Sequence, residues 1–139
     1  MRKSIPFVAM LLVAALAVPA FGQVPFIDYY GFAWEDGGFP PSNPGDVLTF
    51  TAVGDAASAI FGVDFGTEEV TFYMYDLVST GEAPLFGNTN IINYSGGCLE
   101  IYRDGGMNAD YGIAPPNPTV PRTFVDGTLF FKGNFTAMT

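Results

Sequence analysis

Past residue 23, the alternation of apolar and polar positions predicts strands rather than helices. Val47, Thr49, Thr51 and Val53 alternate with Leu48, Phe50 and Ala52, which marks a strand over 47–53 with Leu48 and Phe50 inward. Residues 69–79 carry the strongest signal: Val70, Phe72 and Met74 fall on one face, and Thr71, Tyr73, Tyr75 and Leu77 on the other. Both faces are largely apolar or aromatic, so this strand is expected centrally, covered on two sides. A first strand is expected over 27–34, and 56–61 has room only for a helical turn.

Between these segments lies turn chemistry. Glu35-Asp36-Gly37-Gly38, the run Pro40 to Gly45, and Thr80-Gly81-Glu82-Ala83-Pro84 combine glycine's positive φ with proline's fixed φ. Short strands over 91–95 and 98–103 flank Gly96-Gly97, which predicts a hairpin, and Asp126-Gly127 predicts a second one between 123–125 and 128–136. Residues 104–121 form a long loop in which Pro115, Pro116, Pro118 and Pro121 block sheet pairing. No repeat and no amphipathic helix interrupts the series. The expectation is a single all-β domain, an antiparallel β-sandwich with a jelly-roll-like variant equally open. The chain stops at Thr139 soon after its last strong strand, so the sandwich is expected to be incomplete there, as in a fragment of a longer domain.

The first 22 residues read differently. Arg2 and Lys3 precede an uncharged run from Ile5 to Val18, Pro19 breaks it, and small residues follow at Ala20 and Gly22. This is the layout of a signal-peptide helix with cleavage after Gly22, or after Ala20. The apolar run is shorter than the ~20 residues a membrane span needs. Residues 1–22 are thus expected to be removed, leaving 23–139 as a secreted or periplasmic domain with no membrane partner.

Signal removal changes the charge. Arg103, Arg122 and Lys132 remain against fourteen acidic residues, so the net charge moves from −9 to −11. Such a chain repels phosphate backbones, which excludes nucleic acid as a partner class. Histidine is absent, which removes Ser-His-Asp and Cys-His catalysis and histidine-ligated zinc. The one cysteine, Cys98, has no intrachain partner; it is either a buried apolar residue or a thiol paired with another chain.

Three groups of residues carry candidate chemistry. Asp104, Asn108 and Asp110 offer evenly spaced oxygens in a glycine-rich loop that could hold calcium, set against an Asx-turn reading in which they cap their own backbone. Tyr29, Tyr30 and Trp34 could form an aromatic platform for a glycan, with Glu35 and Asp36 as acceptors, set against a role in the core. Glu100 and Asp76 lie inside strands and are the carboxylates an enzyme reading would select, set against solvated positions that guard an edge. The uncharged six-mer Val70 to Tyr75 has the composition of a zipper-forming segment, with Glu68, Glu69 and Asp76 as gatekeepers.

Leu99-Glu100-Ile101-Tyr102, Asn108-Ala109-Asp110-Tyr111-Gly112, Pro115-Pro116-Asn117 and Thr123-Phe124-Val125-Asp126-Gly127-Thr128 together resemble segments of uncharacterised exported bacterial β-sandwich proteins. The resemblance covers about a quarter of the chain and implies a bacterial, exported protein; it brings no activity with it. The combined expectation is a non-enzymatic binding or structural module with a glycan or protein partner, with calcium as a candidate ion. A carbohydrate-binding or carbohydrate-active module is the alternative.

Overall fold

The computed structural model describes residues 25–111 and 122–139. The signal-peptide reading and the four loop prolines therefore lie outside the described residues. Within them the architecture is all-β and antiparallel, consistent with a β-sandwich-like topology. The strands are β1 (Ile27–Asp36), β2 (Val47–Ala57), β3 (Glu69–Phe86), β4 (Thr89–Ser95), β5 (Cys98–Asp104), β6 (Thr128–Asn134) and β7 (Ala137–Met138). Two short 3₁₀ turns, Ala59–Phe61 and Arg122–Phe124, complete the described elements. No described helix is long and apolar enough to cross a membrane.

The pairing departs from the predicted hairpins. β4 and β5 are not partners of each other: β4 pairs with the C-terminal half of β3, and β5 with its N-terminal half. They run end to end along one side of β3, so Gly96-Gly97 is a joint in a continuing lane and not a hairpin turn. β6 and β7 repeat the arrangement one lane further out, pairing with β5 and β4 respectively. The result is five antiparallel lanes in chain order: β1, β2, β3, β4 with β5, and β6 with β7. Residues 123–125, expected as a strand, belong instead to the second 3₁₀ turn and its exit.

β3 is also longer than expected. Residues 80–84 do not turn the chain; they are strand, and the reversal falls later, between Phe86 and Thr89. Gly81, at φ 102°, lies within a register shift between Ser79 and Glu82, so its freedom makes a bulge. Pro84 is tolerated because the β2 pairing ends at Val78, leaving β3 bonded on one side only. A second irregularity sits at Asp76, which has φ 59°. The register passes there from Phe50↔Met74 to Leu48↔Leu77. Leu77 is therefore carried to the face of Phe50 and Met74, not to the tyrosine face that strict alternation predicts.

Registered partners share a face, so the sheet reads in rows across the lanes. Gly31, Ala52, Phe72, Ile101 and Phe131 make one row. Its centre, with Val70, forms the core cluster, on which Ile27, Phe50, Val63, Phe65 and Leu99 pack. Phe32, Thr51, Tyr73, Glu100 and Lys132 make a row on the opposite face. There Thr71 is fully buried and donates to the Phe124 carbonyl at 2.9 Å, while Tyr111 packs on both Phe32 and Phe124. Val70 and Thr71, neighbours in sequence on opposite faces, are both 0% exposed, so β3 is covered on two sides as its composition implies.

Candidate functional site

The end of β1 carries an acidic residue at an inward position. Period-2 alternation places Glu35 on the same face as Gly31 and Ala33, and its register partner is Leu48. Glu35 is 8% exposed. Its Oε1 accepts from the Ser42 hydroxyl at 2.8 Å and from the Tyr94 hydroxyl. Ser42 Oγ lies 2.7 Å from Ser79 Oγ, and Ser79 Oγ accepts from the Gly81 amide at 3.0 Å. With the Ser42 proton committed to Glu35, the proton between the two serines belongs to Ser79. The Ser42 and Tyr94 hydroxyls thus converge on Oε1, and Ser79 reaches it only through Ser42. The other carboxyl oxygen, Oε2, is buried and has no hydrogen-bond partner among the described residues.

Three separate stretches of chain assemble this cluster. The loop after β1 brings Ser42, the tail of β3 brings Ser79, and β4 brings Tyr94, whose register partner is Ser79. Gly45 N–H bonds Ser79 O and Ser79 N–H bonds Asp46 O, each at 2.8 Å, which fastens the loop to β3. Burial, reinforced by the hydrogen bond to Glu35, pushes the Tyr94 hydroxyl up to about 12, so it remains a donor.

Beside the cluster is a cavity of about 220 Å³ lined by Ala33, Trp34, Glu35, Phe39, Leu48, Ile92 and Tyr94. Apart from Glu35 and Tyr94 its walls are aliphatic or aromatic. β1 to β4 contain no lysine or arginine, so no strand around the cavity brings a cation to the carboxyl group.

The aromatic platform expected at Tyr29, Tyr30 and Trp34 is not assembled as one surface. Alternation sends Tyr29 to the core face, where its ring packs on Phe50 and Phe72 at 5.7 and 4.9 Å. Tyr30 is 60% exposed on the other face, and Trp34 lines the cavity. Of the two acceptors proposed with them, Glu35 is buried in the hydroxyl cluster and Asp36 is exposed.

Asp104, Asn108 and Asp110 each meet a different partner. Asp104 Oδ1 accepts from the Gly106 amide at 2.8 Å, which is an Asx turn. Asn108 Nδ2 donates to Asp126 Oδ2 at 3.3 Å, and the Asp110 amide donates to Thr123 Oγ1 at 3.0 Å. Among the described residues no group of three or more Cys, Asp or Glu side chains is placed to hold a metal ion.

Asp104 Oδ2 is buried without a partner among the described residues, whereas the strand carboxylate Glu100 is engaged. Glu100 accepts from Lys132 and Tyr102, both at 2.6 Å, and from Tyr75 at 3.0 Å. The Lys132 ammonium, followed by the Tyr102 hydroxyl, holds its carboxyl below the ordinary range. Asp76 is exposed at the β3 bulge. A larger, shallow depression of about 450 Å³ lies around Glu68, Arg103 and Phe130, but Arg103 is already taken up by Glu68 and by the Gly62 carbonyl. Cys98 is buried and lies opposite Tyr75, which fits a packing role.

No family model, no curated protein and no solved structure matches the chain. The functional reading therefore rests on the geometry of the Glu35 cavity.

Proposed function

We propose that this chain is an exported, non-enzymatic binding module whose ligand site is the cavity beside Glu35. One observation carries the reading: a carboxyl group more than nine-tenths buried has one oxygen fully bonded and the other without a partner, at the wall of a small apolar cavity. A buried acceptor left unsatisfied costs about 1–3 kcal/mol, more for a charged group, and a ligand donor would recover it. Apolar walls with a few convergent polar groups are the usual make-up of a small-molecule pocket. Export is supported by the signal-like layout of residues 1–22 and by the acidic composition.

Trp34 is the chain's one tryptophan and lines the cavity, so its emission reports occupancy. A fragment panel titrated against the full chain is expected to yield binders that shift Trp34 emission. Ala33→Leu, which enlarges the side chain on the cavity wall and narrows the space, is expected to weaken or remove them. Binding that survives Ala33→Leu unchanged would move the site elsewhere.

A carbohydrate pocket is the second reading, because Trp34 and Glu35 do share this cavity. Its polar side-chain groups are Glu35, Tyr94 and the Trp34 indole N–H, few for a molecule with hydroxyls on every side, and Glu35 Oε1 and the Tyr94 hydroxyl are bonded to each other. A monosaccharide panel belongs in the same titration, and the apolar-walled reading expects no shift from it.

A further inference from the structure

We infer that the Glu35 cavity takes a small primary amine carried on a compact apolar body. This rests on the reading of the cavity as a ligand site and adds the ligand's chemistry. The unpaired group is an acceptor, so the ligand must bring a donor. The three hydroxyls of the cluster are already directed at Oε1 or at one another, and no lysine or arginine stands in β1 to β4. The site thus presents a buried carboxyl group with no cation supplied by the strands that build it. Of the three basic residues past residue 22, Arg103 and Lys132 are engaged elsewhere, with Glu68 and Glu100. The third, Arg122, lies in the second 3₁₀ turn and is not among the residues that line the cavity.

An ammonium group suits this wall better than a hydroxyl for two reasons. Its hydrogen bond to a carboxylate is charge-assisted, roughly twice as strong as a neutral one. Trp34 and Phe39 also line the cavity, and an aromatic face turned to an ammonium attracts it. The chain's net charge of −9 draws cations toward it and repels anions.

Leu48, Ile92 and Ala33 give the apolar remainder its contacts. At the ~30 Å³ that a water occupies in the liquid, 220 Å³ holds about seven non-hydrogen atoms. Oε2 is itself buried, so the ligand nitrogen reaches it only by displacing part of the cavity wall, of which Phe39, 61% exposed, is the most exposed aromatic member.

The test is an isosteric series of that size: cyclohexylamine, cyclohexanol and methylcyclohexane, titrated into the full chain at neutral pH with Trp34 emission and calorimetric heat as readouts. Cyclohexylamine is expected to bind at least roughly tenfold more tightly than cyclohexanol, and Glu35→Gln is expected to erase that preference. Cyclohexanol binding as tightly as the amine, or a preference that survives Glu35→Gln, overturns the inference and leaves the cavity as a ligand site. If none of the three binds while a wider fragment panel does, the inference alone falls; if nothing binds at all, both fall. Should Glu35→Gln fail to fold, the comparison of amine with alcohol on the unaltered chain decides by itself.

Discussion

Glu35 and Glu100 are both acidic residues inside strands, and they end up in opposite situations. Glu100 receives three donors, one of them the Lys132 ammonium, whereas Glu35 has two donors on one oxygen and, among the described residues, none on the other. The Glu100 arrangement has a pH consequence. Its carboxyl is held below 4.5 in the folded chain, so the stabilisation is complete above that value and is lost as pH falls through the lower folded value. Glu68, held down chiefly by its hydrogen bond from Arg103, acts in the same direction. Glu100→Gln is expected to cost about 1–3 kcal/mol at neutral pH and to flatten the loss of stability seen in urea melts below about pH 4.5. An unchanged acid slope in the variant would show that the network contributes nothing to it. The sequence made Glu35 legible as an acceptor beside Trp34, but not its surroundings. Ser42 and Ser79 are 37 residues apart, and Tyr94 stands 59 residues from Glu35, so only the folded register brings them together.

At the scale of elements, the joint between β4 and β5 shows why strand content was legible and connectivity was not. Two glycines between short strands have the composition of a hairpin turn, and nothing local distinguishes a turn from a joint. The difference lies in β3, whose length was itself hidden by the turn-like residues Gly81 and Pro84. The joint makes a sharp prediction about its two glycines. Gly97 has φ 100°, and a Cβ there would meet the Leu77 side chain at 2.6 Å; Gly96 has φ 67°, with the Asp76 carbonyl as nearest neighbour at 3.9 Å. Gly96→Ala therefore meets only the left-handed backbone penalty, about 1–2 kcal/mol. Gly97→Ala adds a clash with Leu77, which is 0% exposed, and is expected to be the more destabilising of the two in thermal melts. Equal costs would mean that the Leu77 contact yields freely.

Across the whole molecule, buried and half-buried tyrosines line both faces of the sheet and give it a common alkaline limit. Tyr94, Tyr102 and Tyr111 are pushed up to about 12, chiefly by burial, and Tyr75 to about 12, chiefly by its hydrogen bond with Cys98. Their ordinary value is 10.0, so the folded chain retains these protons where an unfolded one releases them. Stability is accordingly expected to be complete below pH 10 and to fall as pH rises toward 12. Tyrosinate absorbance should rise together with the loss of near-ultraviolet dichroism; ionisation of all the tyrosines well before unfolding would contradict it. The five-lane layout has a separate consequence for how the chain reaches this state. β1, β2 and β3 each pair with the next strand along the chain, whereas β5 folds back on β3 and β7 on β4. The conformational search can then start from the β1–β4 meander, and the larger loop-closure entropy falls on the outer lane, β6 with β7.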